Sequence, residues 1–380
     1  MAFRRDDVGE LRIARFASLR KIGSELALAG SNVPTLMFRS SYKDVLEIRM
    51  LGHAGAPIAQ PKGSFAFFFP KIAPTPGGGL TMVWGELAKT AEITELIDWN
   101  AVRIGALWSA HYTFTNGWSI PEKIFDGPVI WEKFAVGEIA ARRNVLALAV
   151  PLAPDRLDAV GGLVLLRLNG TRWSASTIKL RVNPVVATVA LSDTHLTIAF
   201  LAAATGPEPD VNSVWTLSAP VAGYLTVQPL LVVRSGRNPA TFVQVFADHI
   251  GDFHLIWHRK LKGSSSLMHA RHISTANAWT KISELPLSGD LNSAVSIIDE
   301  CDRIHVVFQN YPNLDPNGFL DHVVWSEGWQ TQQHLFPSLR AIDAALATDA
   351  SGGIALTMLA QPKSYAAGTA YTLLVSKLHQ

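Results

Sequence analysis

Acid–base chemistry needs a titratable side chain held at an accessible strand end, and such groups are few in this chain of 380 residues. Histidines concentrate in one stretch: His249, His254, His258, His269, His272, His305 and His322. In the segment FHLIWHR, strand alternation places His254 and His258 on one face. Two imidazoles on one face suit a metal or a proton shuttle. His254 and His305, however, recur at the same place in two similar segments, FHLIW and IHVVF, and recurrence marks a packing position bonded between neighbouring repeats. His258 ends its segment and is the better candidate for chemistry. Glu86 follows another apolar segment in the same way, and Arg259 adjoins His258. With Arg39, and with Tyr42 or Tyr311 as a donor, these make a candidate acid–base set. Candidate substrate contacts are Gln309 and Asn310 beside Tyr311, Trp108 as a stacking surface, and Asn183, Asp290 and Arg340, which precede apolar runs. No phosphate-binding loop, dinucleotide fingerprint, zinc-protease helix or nucleophile elbow is present. No cofactor and no metal site is expected.

These residues hang on a repeat. Seven short apolar segments begin at Val33, Leu80, Val145, Leu196, Phe253, Ile304 and Ile354, a period of about 50 residues. Each is rich in β-branched or aromatic residues and bounded by turn chemistry, which reads as a buried strand. GGG, SDTH, DHIGD, DECD and DASGG stand before several of them and supply tight reversals. A second mark shares the period: TNGWS, GTRWS, TANAWT and SEGWQ place Trp118, Trp173, Trp279 and Trp329 after small polar turns. The unit is strand, turn, strand, loop, strand, turn with tryptophan, strand. Four strands per repeat of this length describe a propeller blade.

The predicted fold is therefore all-β: a seven-bladed β-propeller of four-stranded antiparallel sheets. The final repeat lacks a fourth strand, and ELRIARFA near the N-terminus is expected to supply it, so that N- and C-terminal strands close the ring. The whole chain, 1–380, reads as one domain. Residues 87–103 break the pattern with helical spacing and predict a helical insertion. In a propeller, the loops leaving each second strand and those leading into each first strand converge at one face of the channel. Most of the candidates above fall at those positions.

Composition fits this reading. Charged residues make up 17% and hydrophobic ones 48%, against roughly 25% charged in ordinary soluble domains. Stacked sheets bury both faces of most strands and leave few positions for charge. The formal charge of +2 gives no electrostatic case for nucleic acid. A single cysteine, Cys301, excludes an internal disulfide. No apolar run reaches membrane-spanning length and no secretory leader is visible, so a cytoplasmic protein is expected.

The sequence DHIGDFHLIW from Asp248, with TNGWS and SEGWQ as degenerate turn motifs, resembles the sialidase-like propellers with BNR or Asp-box repeats. The resemblance covers blade layout over most of the chain. The full Asp box is absent, and MFRSS offers Arg39 without the family's Ile-Pro. Sialidases hold a carboxylate with three arginines and use a Tyr–Glu pair. Arg39, Arg259, Arg340 and Tyr371 sit in repeats where such residues fall, with no motif to fix them. The expected function is an enzyme with a site at the channel face, acting on a small organic or glycan substrate, hydrolase- or lyase-like. Two alternatives stand beside it, a lectin-like propeller and a protein-interaction scaffold. One asymmetric polar cluster would argue for the enzyme, and the same polar residue in every blade for the lectin.

Overall fold

The computed structural model describes residues 2–6, 9–15, 27–29, 35–40, 45–50, 58, 60–62, 68–75, 79–87, 104–131, 136–153, 161–203, 212–221, 229–236, 238–261, 264–276, 278–311, 319–348, 353–362 and 372–378. Among them every helix or strand is a strand. Tyr42, Tyr371 and all but the first residue of the expected helical insertion lie outside the described residues; Leu87 ends a strand.

The strands form seven antiparallel sheets among the described residues. Sheet I holds Ala27–Ala29, Thr35–Ser40 and Val45–Met50. Sheet II runs Phe68–Thr75, Gly79–Leu87, Ile104–Thr113, Glu122–Val129, with Gly117–Trp118 pairing the third strand. Sheet III is Ala140–Arg142, Val145–Pro151, Gly162–Asn169, Arg172–Lys179. Sheet IV is Pro184–Leu191, His195–Ala202, Ser213–Pro220, Leu230–Val233. Sheet V is Ala240–Ala247, Phe253–Leu261 and Ser264–Ile273, whose outer edge pairs Ala278–Trp279 and Ser283–Leu287. Sheet VI is Asp290–Ile298, Ile304–Tyr311, Phe319–Trp325, Gln333–Leu335. Sheet VII is Leu339–Thr348, Ile354–Pro362, Thr372–Leu378, followed in space by Gly9–Arg15 and Ala2–Asp6. All seven apolar segments of the sequence are second strands of sheets I to VII, in order.

Tight hairpins join first and second strands. Gly251 at φ 92° and Asp302 at φ 58° take the left-handed conformation at matching places in their turns. Before the turn tryptophans, Gly117, Gly170 and Glu327 do the same. The strand Gly9–Arg15 pairs with Thr372–Leu378, Arg12 opposite Val375, as the N-terminal segment was expected to do.

The chain separates into two compact units, residues 61–284 and residues 1–60 with 285–380. In the first unit successive sheets pack face to face. One apolar cluster joins sheets II and III through Trp131, Val129, Leu148 and Leu166. A second joins III and IV through Leu165, Val189 and Phe200. A third joins IV and V through Leu201, Val245 and Trp257. In the second unit Val307 and Leu320 of sheet VI pack against Leu346, Leu356 and Met358 of sheet VII. Full burial of one such side chain contributes about 1.5–3 kcal/mol, more than an exposed ion pair at about 0–1 kcal/mol. The core, not the sparse charges, holds the sheets.

A bulge interrupts the first strand near its start in five sheets, between Phe68 and Lys71, Pro184 and Val186, Ala240 and Phe242, Leu291 and Ala294, and Ala341 and Asp343. A bulge inserts extra residues and re-aims side chains. It lies at the same end of the sheet as the close of the second strand, where the candidates cluster.

Candidate functional site

At the hairpin end, sheets V and VI carry one device in duplicate. Asp248 Oδ1 accepts from the backbone N–H of Ile250 and Asp252 at 3.1 and 2.8 Å. Asp299 Oδ1 does the same for Cys301 and Arg303 at 2.9 and 2.8 Å. The other oxygen meets a histidine: Asp248 Oδ2 to His254 Nε2 at 3.3 Å, Asp299 Oδ2 to His305 Nε2 at 3.2 Å. The chain then runs on from Nδ1, His254 to His269 Nε2 at 3.0 Å and His305 to His322 Nε2 at 3.1 Å. All four rings are buried. The contacts are satisfied when each first histidine donates to its aspartate and each second one donates to the first. An arginine backs each aspartate, Arg271 from the third strand in sheet V and Arg303 from the second-strand start in sheet VI.

Burial, reinforced by the charges of His254 and Arg271, pushes His269 down to about 3. Burial and His305 push His322 down to about 4. Burial also lowers His305, against the pull of Asp299. Burial opposes ionisation of Asp299, but bonds from Arg303 and His305 outweigh it and hold the carboxyl below its usual range. The lowered values favour neutral imidazoles at His269, His305 and His322, and the duplicated bonding is a structural arrangement. The recurrence of His254 and His305 does mark packing, but their partners lie within their own sheet rather than between repeats.

The opposite end diverges. The hairpins pair Ala247 with Phe253, Ile298 with Ile304, Leu191 with Leu196 and Thr348 with Ile354. Six residues further along the second strand stand Arg259, Asn310, Ala202 and Ala360. Aligned on the buried tryptophans Trp84 and Trp257, Glu86 takes this position in sheet II. Glu86 accepts from Trp108 Nε1 at 2.7 Å, and the Lys123 ammonium lies 5.7 Å from the Trp108 ring. Arg259 donates to Glu284 Oε1 at 2.7 Å, which also accepts from Ser266 at 2.8 Å. The same position is thus anionic, cationic or amide in three sheets, and alanine in two.

In sheet VI this position builds the most developed cluster. Asn310 is fully buried and donates to Asp321 Oδ2 at 2.5 Å and to Ser288 at 3.1 Å. Gln332 donates to the same Oδ2 at 2.5 Å and to Ser288 at 2.9 Å. Asp321 Oδ1 meets His334 Nδ1. Asp321 is wholly buried, whereas the His334 side chain is 52% exposed. Asn310 Oδ1 is buried with no partner among the described residues. A buried carboxylate bonded to Nδ1 fixes the imidazole tautomer and the orientation of the ring. Sequence reasoning chose Asn310 but missed Asp321, Gln332, His334 and Ser288.

The remaining candidates scatter. His258 is fully buried, with Thr241 Oγ1 2.6 Å from Nδ1 and Ser265 Oγ bonded to Nε2. Its ring is a cross-strand tie in which Thr241 comes from the bulge. Gln309 is buried and donates to the Ala341 carbonyl at 2.6 Å. Asp290 begins the first strand of sheet VI, half-buried and opposite Tyr311. Asn183 is exposed just before sheet IV. Arg340 is half-buried in the first strand of sheet VII, and Arg39 lies in Thr35–Ser40. Among the described residues no group of histidine, cysteine or carboxylate side chains could hold a metal ion.

No protein-family model and no curated protein matches the chain. Solved structures do. An ulvan lyase of polysaccharide lyase family PL25 superposes at a TM-score of 0.59 with 10% identity, over 99% of this chain and 96% of its own. The polysaccharide lyase Uly1 matches at 0.54 with 10% identity, over 100% and 89%. The NanB sialidase of Streptococcus pneumoniae matches at 0.50 with 8% identity, over 91% and 83%. The likeness is one of fold. A sialidase is among these neighbours, as the turn motifs implied.

Proposed function

We propose that the chain is a glycan-acting enzyme on a seven-bladed β-propeller, one domain closed by the pairing of Gly9–Arg15 with Thr372–Leu378. Its acid–base residue is His334, positioned by Asp321. The Asp321–His334 pair carries this reading, because a wholly buried carboxylate orients an imidazole that is half in solvent. Asn310 and Gln332 fix the carboxylate in turn, and Ser288 accepts from both of their amides. Lyases and a sialidase among the structural neighbours support a glycan as substrate.

The concrete reaction is elimination. His334 Nε2 takes the proton from the carbon beside a uronate carboxylate. The electron pair forms a carbon–carbon double bond, the glycosidic C–O bond breaks, and the leaving oxygen takes a proton from water, to which His334 then returns the one it took. General base catalysis of this kind is worth about 10²–10⁴ in rate. A lectin with equivalent sites would repeat one residue at the second-strand ends. Those ends instead carry Glu86, Arg259, Asn310 and two alanines, Ala202 and Ala360, which disfavours it.

The test is incubation with a panel of anionic polysaccharides, reading ultraviolet absorbance of unsaturated uronyl products alongside new reducing ends. Product with both signals supports elimination, and reducing ends alone support hydrolysis. Absence of both across the panel, or full activity in His334→Ala, overturns the reading.

A further inference from the structure

Sheet II holds a buried cation. Lys71 follows the bulge in the first strand of sheet II, its Cα opposite Val83. Its side chain is only 5% exposed. An ammonium has three donors, and burying one is costly unless it is fully paired. Among the described residues the group it reaches is Glu138 Oε1, at 3.4 Å. That is long for a charge-assisted bond, which closes to about 2.7–2.9 Å.

Glu138 itself is 61% exposed. Its backbone is held from the other side: Gly137 N–H donates to the Ala187 carbonyl of sheet IV at 2.8 Å, and Val136 bridges Ala187. A Cβ on Gly137 would stand 2.6 Å from Thr188 Oγ1, so the approach needs glycine. That Thr188 hydroxyl is buried and has no partner among the described residues. The arrangement is therefore a buried cation behind a single solvated carboxylate on a fixed backbone, with the Thr188 hydroxyl of sheet IV against the neighbouring Gly137.

We propose that Lys71 is the receptor for an anionic group on the ligand, a carboxylate or a sulfate ester, and that Glu138 is its resident counter-ion. Binding displaces the Glu138 carboxylate outward into water, and the ligand's anion takes its place on the ammonium. The displaced group is already mostly solvated, so the exchange exposes little. This rests on the glycan-acting reading for the ligand's sugar and adds the charge that it must carry.

Calorimetric titration with glucuronate, glucose and inorganic sulfate tests it on the full chain. Wild type should bind glucuronate or sulfate and not glucose, the choice between the two anions naming the group. Lys71→Met should weaken anion binding by about 10-fold or more, the loss of one charge-assisted hydrogen bond. Lys71→Arg keeps the charge should the Met variant fold poorly, and should retain the preference for anions. Glu138→Gln, at an exposed position, should tighten anion binding several-fold by removing the competitor. No anion binding in wild type, or no tightening in Glu138→Gln, overturns the proposal. The two readings fail separately. Turnover of a polysaccharide with anion preference intact in Lys71→Met refutes this site alone. Loss of anion binding in that variant without turnover of any glycan in wild type refutes the enzyme alone.

Discussion

Sheets V and VI agree at one end and part company at the other. At the hairpin end both place an aspartate on two backbone N–H groups, a histidine on that aspartate and a second histidine on the first. At the far end sheet V closes Arg259 on Glu284, while sheet VI builds Asn310, Asp321, Gln332 and His334 into one network. A repeat keeps what every copy needs to fold. It is free to vary where only one copy meets a ligand. The difference therefore separates the structural histidines from the one proposed to act on substrate, without any alignment.

The comparison breaks most sharply at the aspartates. Asp299→Ala strips partners from two backbone N–H groups, Arg303 and His305, and should cost about 3–5 kcal/mol, as for other broken buried pairs. Asp248→Ala should cost a similar amount. Denaturant titration of the two variants checks this, and a clearly unequal loss would mean that the two devices are not equivalent.

Acid offers the next cut. His269, near 3 when folded, and His322, near 4, both fall below the ordinary 6.5. The unfolded chain then binds more protons than the folded one below pH 6.5. Stability should be complete above pH 6.5 and fall as pH drops from there towards 3, which thermal melts across that range would reveal. A melting temperature flat down to pH 4 would contradict the neutral, buried assignment.

At the divergent end, His334→Ala should lower turnover by about 10²–10⁴ with little change in melting temperature, because the ring is half in solvent. Asp321→Asn should reduce kcat while leaving the protein folded more securely than an alanine would. The smallest effect belongs to Arg259→Gln, whose pair with Glu284 is partly exposed. It should change stability by about 0–1 kcal/mol in denaturant titration, and a larger loss would give sheet V a role beyond its surface pair.

Much of the fold was legible because the second strands are continuous apolar runs between turn residues. LTIAFLA and VLALAVP need both faces buried, and only stacked sheets give them that. The turn glycines and Asp248 and Asp299 likewise declare themselves by type. The site was less visible. Asp321 sits in LDHVVW, where an acid in an apolar run was the one available signal. Its partners are His334, in the short outer strand Gln333–Leu335, and Gln332 just before it, and the register of that strand depends on packing rather than on local pattern. His258 misled for the converse reason. A strand-end histidine reads as exposed until Thr241, thrown forward by a bulge, and Ser265 on the adjacent strand are seen to cover both nitrogens. The shared spacing of Asp248 to His254 and Asp299 to His305 would have disclosed the hairpin device.

The pairing of Gly9–Arg15 with Thr372–Leu378 also sets a timetable. The first of these strands leaves the ribosome long before the second. Sheets II to VI can each close on local partners as they emerge, but sheet VII must wait with an unpaired edge. Its completion joins the most distant parts of the chain, the kind of contact that slows folding most. A nascent chain stalled before residue 372 should consequently offer that edge to other chains, and to chaperones, until Thr372–Leu378 emerges.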